Sequence, residues 1–272
     1  MLARLGIRSA VGDADVTTFV TVYAAIDRVD FDVRIHKPAT TVRQRLCHRF
    51  GLLRDATVLR IETTGAVIKP RRQPEGDLLP GADLRRFAVQ GFVDASPPDG
   101  VGVTLSPIDA FALRLDLKPV TFEAIGNDQN YREVIPDQHG VTDFRFRYSL
   151  RAHGRGYAPA EAFAFSRRVA TPLLIARASV AKLPLAAPVE LDGARALATC
   201  LKPADGDAGG GILLRLREVS GRAGACRVRV GTARKVIQTD LLERDGKALD
   251  ISGGAVTVDL PANGFAALRL LR

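Results

Sequence analysis

Every second residue is apolar across most of this sequence, and that alternation restricts the chain to sheets. Val16, Thr18, Val20 and Val22 alternate with Thr17, Phe19 and Thr21, and Val29, Phe31, Val33 and Ile35 alternate with Asp30, Asp32 and Arg34. Successive side chains on a strand point to opposite faces, so such runs bury one face and wet the other. Ala25–Arg28 is short enough to join the two as a hairpin. The clearest run is Phe144, Phe146, Tyr148 and Leu150 between Arg145, Arg147, Ser149 and Arg151. Later runs at 212–217, 227–230 and 256–260 repeat the pattern, and Val58–Thr63, Phe87–Val93, Gly102–Leu105 and Phe111–Leu117 read as further strands. Gly, Pro, Asp or Asn interrupts these runs at intervals suited to a sandwich. A helix is predicted only over Pro159–Val169, with Pro159 at its first position and Pro172 just beyond its end. The predicted fold class is all-β.

Lys69–Asp83 and Gly126–Gly140 read as long surface loops. An Ala/Leu/Pro stretch at Ala176–Pro188 separates two strand-rich regions, which places a domain boundary between residues 178 and 179. The 272 residues thus divide into a larger β-unit, 1–178, and a smaller one, 179–272, the second being the size of an immunoglobulin-like sandwich.

Thirty-nine Lys and Arg against thirty Asp and Glu give a net charge of +9, which raises the question of nucleic acid. The basic residues come singly or as doublets (Arg71-Arg72, Arg85-Arg86, Arg167-Arg168), mostly on the wet positions of strand-like runs. With no Trp and four Tyr, stacking platforms for single strands are scarce. A solvated sheet face is the better reading, and no specific nucleic acid is expected. No apolar run is long enough to cross a bilayer, and Arg4 and Arg8 interrupt the N-terminal apolar stretch where a signal peptide needs an unbroken one. Cys47, Cys200 and Cys226 form neither a disulfide framework nor a metal-binding spacing. The expectation is a cytoplasmic protein with no membrane partner.

Catalytic signatures are missing: there is no phosphate-cradling glycine loop, no HExxH and no GxSxG elbow. Cys47 and His48 are adjacent on a strand and point to opposite faces; Cys47 reads as a small buried residue. His139, in Pro136-Asp137-Gln138-His139-Gly140, reads as part of a turn. Asp94 and Asp99 flank Ser96-Pro97-Pro98 and read as turn acids rather than the paired carboxylates of a glycosidase. Glu62, Asp128, Glu133, Asp143 and Glu161 have no partner that spacing reveals. No catalytic residue and no metal ligand is assigned.

Taken in order, these segments resemble the C-terminal β-region of glycoside hydrolase family 38 α-mannosidases of bacterial type. Val20-Thr21-Val22-Tyr23 with Arg28-Val29-Asp30-Phe31 is similar to that family's V-T-L-Y…R-I-D-F hairpin, and Gly65-Ala66-Val67-Ile68-Lys69-Pro70 to its G-V-I-x-R-P. Gly91–Ser96 followed by Gly100–Leu105 resembles W-V-D-L-S…G-V-A-L-L. Asp137–Gly140 with Phe144–His153 resembles D-Q-G-E-H-x-F-x-Y-A-L-x-P-H. Leu201–Asp205, Leu214–Glu218 and Thr239–Arg244 are similar to L-K-P-A-E, R-L-Y-E and A-D-L-L-E-R. The resemblance spans about residue 15 to 272 and departs from the pattern at Phe92, where a tryptophan is common, and Ser149, where an alanine is common.

The resemblance implies a galactose-mutarotase-like supersandwich followed by a smaller immunoglobulin-like β-sandwich. It also implies hydrolysis of terminal α-mannosides by a retaining mechanism, carried out in a zinc-binding β/α barrel whose motifs do not occur here. The expectation is therefore a β-region that buttresses such a barrel, helps close the sugar site and is inactive alone. It binds no cofactor itself, since zinc belongs to the barrel, and it meets α-mannoside through a catalytic region or associates with a separately encoded barrel. The alternative is a free-standing carbohydrate-binding β-module. Its sugar-contacting loop would carry Asn127, Asp128, Asn130, Tyr131, Arg132 and His139. A mutarotase-type enzyme would instead need His36, His48, His139 or His153 beside a carboxylate.

Overall fold

A computed structural model describes residues 1–52, 57–116, 120–127, 140–171, 189–193, 195–205 and 210–272. The first strands are β1 (Leu2–Val11), β2 (Ala14–Tyr23), β3 (Val29–His36), β4 (Gln44–Phe50), β5 (Val58–Thr63) and β6 (Ala66–Ile68). Then come β7 (Arg86–Ala88), β8 (Val93–Ser96), β9 (Val101–Pro107), β10 (Ala112–Arg114), β11 (Val120–Asn127) and β12 (Asp143–Arg155). The helix α1 (Pro159–Ala170) follows, and then β13 (Glu190–Asp192), β14 (Ala196–Pro203), β15 (Ile212–Glu218) and β16 (Gly224–Arg229). The chain ends with β17 (Lys235–Thr239), β18 (Asp245–Leu249), β19 (Ala255–Leu260) and β20 (Phe265–Leu271). The expected all-β class is borne out, with α1 within a residue of its predicted span.

The chain divides into two units: Met1–Tyr157 with Phe165–Pro172, and Ala158–Ala164 with Leu173–Arg272. The boundary expected at 178/179 lies outside the described residues. In the first unit, eight strands run in the order β1-β2-β3-β12-β9-β8-β5-β6 and four in the order β4-β11-β10-β7. The alternation read from the sequence sets which side chains meet between these sheets. Ile61, Val93, Leu105 and Tyr148 from the larger sheet pack with Leu113, Val120 and Phe122 from the smaller. Each is at most 1% exposed, so each contributes roughly 1.5–3 kcal/mol of apolar burial. A neighbouring cluster joins Val16, Val33 and Ile35 to Ile125.

The second unit stacks a three-stranded sheet, β13-β16-β19, on a five-stranded one, β14-β15-β20-β17-β18. Its core joins Cys226, Val228, Val256 and Val258 to Leu214, Leu216, Val236 and Leu268.

Several local expectations are corrected. The run Phe87–Val93 does not form one strand: β7 ends at Ala88 and β8 begins at Val93, in a different sheet. Of the described residues in Phe111–Leu117, Ala112–Arg114 form a strand. β1, over a segment assigned no strand from the sequence, pairs with β2 along its whole length yet is exposed at all ten positions. An edge strand with neither face covered gives little burial pattern to read.

Candidate functional site

The face of the eight-stranded sheet opposite its apolar packing carries most of the polar chemistry. Register places Asp30 beside Ser149, Ser149 beside Ser106, and Arg151 beside Thr104, with Asp94 between Thr104 and Arg60 on the neighbouring strands. With a period of two, Glu62, Ser96, Gly102 and His153 share that face. Glu62, Asp94, Ser96, Thr104, Ser106 and Ser149 are all buried. The chain returns over them after β12. Arg167 of α1 reaches Glu62 Oε1 at 3.5 Å, Ser166 lies 3.4 Å from the Ser106 hydroxyl, and the Arg60 guanidinium stacks over the Tyr157 ring.

At the centre is a His–carboxylate pair. His153 Nε2 lies 2.9 Å from Asp94 Oδ2, Thr104 Oγ1 donates to the same oxygen at 2.7 Å, and the Ser96 hydroxyl donates to Oδ1. Gly102 stands opposite His153, where a methyl group would overlap the imidazole ring. Gly91 plays the same part for the Glu62 carboxylate. Asp94 is therefore not a turn acid. It sits in β8, in the alternation Val93-Asp94-Ala95-Ser96, and the prolines that suggested a turn begin only at Pro97.

A second cluster lies nearer β2. Asp30 accepts from Tyr23 OH at 2.6 Å, Ser149 Oγ at 2.6 Å and Arg28 Nε at 3.0 Å. Beyond it, Asp32 accepts two bonds from Arg145, at 2.8 and 3.0 Å. Partial burial works against ionisation of Asp32, but the hydrogen bonds and charges of Arg145 and Arg34 outweigh it and hold the carboxyl below its usual range.

A histidine oriented by a carboxylate is the geometry of a general base. The other ring nitrogen meets the backbone. His153 Nδ1 lies 3.1 Å from its own chain's Gly154 carbonyl, and the side chain is 11% exposed. A hollow of about 320 Å³ in this unit lies on the other sheet, lined in part by Arg45, Arg86, Phe111 and Glu123. The Asp94–His153 pair, with Thr104, ties β8, β9 and β12 together.

The other histidines separate by environment. His36 pairs with Asp143 at 3.0 Å on the surface, which holds the Asp143 carboxyl low. His48 faces inward, its Nδ1 2.7 Å from Tyr148 OH and its ring edge-on to Phe146. Burial pushes His48 down to about 4 and raises the Tyr148 phenol, so the neutral ring accepts a hydrogen bond from the phenol. Cys47, expected to be buried, is half-buried, and burial raises its thiol.

Of the sugar-loop candidates, Asn127 is described: its Nδ2 donates to Thr40 O at 2.6 Å and Val42 O at 3.0 Å. Asp128, Asn130, Tyr131, Arg132 and His139 lie outside the described residues, as does Glu133. Among the described residues, no group of three or more His, Cys, Asp or Glu could hold a metal ion, so the zinc implied by the resemblance finds no fitting site among them. No described helix is long and apolar enough to cross a membrane.

Two solved structures share this architecture. One, a glycosyl hydrolase family 38 protein from Enterococcus faecalis, superposes with a TM-score of 0.68 at 15% identity over 94% of this chain. The other, an alpha-mannosidase from Enterococcus faecalis V583, gives 0.67 at 16% over the same share. The chain has the fold of part of a family 38 glycosidase. It spans only about 30% of the length of the first of these proteins and 29% of the second. No protein-family model matches the sequence, and no curated protein does.

Proposed function

We propose that this chain is the β-region of a family 38 α-mannosidase, a noncatalytic part that supports a barrel and helps close its sugar site. The observation that carries this reading is a superposition running through 94% of the chain onto a family 38 protein, at a TM-score of 0.68. The same order of motifs, from Val20-Thr21-Val22-Tyr23 to Leu241-Leu242-Glu243-Arg244, supports it independently of the coordinates. Hydrolysis of terminal α-mannosides is then a property of the assembled enzyme. Three free thiols support a reducing, cytoplasmic setting.

The test is an aryl α-mannoside assay on the 272-residue chain, alone and mixed with a separately expressed family 38 catalytic region. No turnover alone, with association and increased activity on mixing, is the expected result. Turnover by the chain alone, or failure to associate with the catalytic region of its own organism, would overturn the proposal.

A further inference from the structure

The outer face of the four-stranded sheet holds an arrangement that the supporting role does not use. Across its strands one row reads Arg86, Arg114, Thr121, Arg49, so two arginines stand directly opposite each other on β7 and β10. Like charges in that relation are destabilising. The next row places Ala88 against Ala112, and Glu123 follows on β11. Two opposed alanines leave space where other pairs would fill it, and the result is a hollow of about 320 Å³, at the lower end of the roughly 300–1,000 Å³ of small-molecule sites.

The chemistry around the hollow is fixed in place. Arg114 is bound at Nε and Nη2 by Asp116, at 2.9 and 2.6 Å, and at Nη1 by Glu123 at 3.3 Å. The same glutamate holds Arg45 Nε at 3.1 Å. These guanidinium groups are oriented before any ligand arrives, which lowers the ordering cost of binding. Arg86 makes no ion pair among the described residues, and the lining carries three arginines against one carboxylate. Phe111, 68% exposed, is an apolar ring at the same hollow.

We propose that this hollow binds a pyranose bearing an anionic group, a carboxylate or a phosphate, with the acid on the arginines and an apolar ring face on Phe111. With Arg114 already held by Asp116 and Glu123, the Arg86 guanidinium is the group that pairs with the anion, and guanidinium groups recognise carboxylate and phosphate through paired N–H donors. Pyranose rings present C–H faces that pack on aromatic rings. The proposal stands whether or not the family reading holds.

Titration of the full chain with glucuronate, mannose 6-phosphate, mannose and inorganic phosphate, followed by calorimetry or NMR shifts, tests it. Millimolar binding of one or both anionic sugars is expected, weakened by added salt, with mannose much weaker. Which of the two binds tells carboxylate from phosphate. Arg86→Ala, at an exposed position that leaves the fold intact, should weaken binding about tenfold. Ala88→Phe should abolish it by filling the hollow, and Phe111→Ala should weaken the sugars but not inorganic phosphate. Circular dichroism confirms that each variant is folded. No binding by either anionic sugar, or binding unchanged in both Arg86→Ala and Ala88→Phe, overturns the proposal; inorganic phosphate binding as tightly as the sugars overturns its ring half.

Discussion

His48 and Asp94 show two ways of keeping a polar group in an apolar sheet, and they make opposite demands on pH and mutation. His48 titrates near 4 in the folded chain against an ordinary value of 6.5. The unfolded chain therefore takes up a proton first, and stability is lost as pH falls below about 6.5, the full loss being reached below about 4. A shift of this size corresponds to roughly 2–3 kcal/mol after allowance for partial solvent screening. His48→Gln, which keeps an acceptor for Tyr148, should remove that part of the acid sensitivity, as urea denaturation at pH 7, 5.5 and 4.5 would show. Asp94 accepts from His153, Thr104 and Ser96 together. Asp94→Ala leaves those donors without their acceptor and should cost about 3–5 kcal/mol, while Asp94→Asn, which keeps an acceptor oxygen, should cost less. An equal loss in both variants would show that the carboxylate charge, rather than the acceptor, is what matters. Neither role was legible beforehand. Asp94 stands three residues before a Pro-Pro pair that suggested a turn, and its partner lies 59 positions away. The readable signal was the alternation of Val93 and Ala95 around it, with Gly102 opposite the ring that needs its space.

At the scale of elements, the alternating runs identified β2, β3, β12, β15 and β19; β3 and β19 have one drier and one wetter side, whereas β12 and β15 bury residues on both faces. The pattern fails for β7 and β10, of three residues each, which are too short to show a period. It also fails for β1, where all ten positions are exposed and apolar residues (Leu5, Ile7, Val11) and arginines (Arg4, Arg8) occur without consequence for a core. Such a strand is held by its ladder to β2 and by contacts such as Arg4 over the Phe19 ring, 4.1 Å from its centroid. Its backbone amides should exchange with deuterium orders of magnitude faster than those of β12, which is paired on both sides. Equal protection of β1 and β12 would mean that something covers the edge in solution. The arginine-lined hollow was likewise hidden from the sequence. Arg86, Ala88, Ala112, Arg114 and Glu123 come together only through cross-strand register between β7, β10 and β11.

For the whole molecule, the net charge of +9 is spread rather than focused. Many arginines are matched by acids on the same face, as Arg145 is by Asp32 and Arg147 by Asp109. Retention on a DNA column at low ionic strength should therefore be weak, independent of sequence and gone by about 0.2 M salt; retention beyond that would point to a nucleic-acid surface. The all-β class was readable because alternating runs recur along the whole chain. How the eight strands are ordered was not, since order depends on pairings between distant segments. β12 lies between β3 and β9, and its first residue, Asp143, meets His36 across 107 positions. In this sheet β1 to β3, and β5, β6, β8 and β9, pair with near neighbours in sequence, and β12, the last of its strands to be synthesised, closes the gap between β3 and β9. On a ribosome adding about 5–20 residues per second, β3 would wait roughly 5–20 s for its partner. Once β9 has been made as well, two strand edges stand open at once until β12 arrives, and a chain of slow, long-range closure is the kind that depends on its neighbours in the cell to stay unjoined.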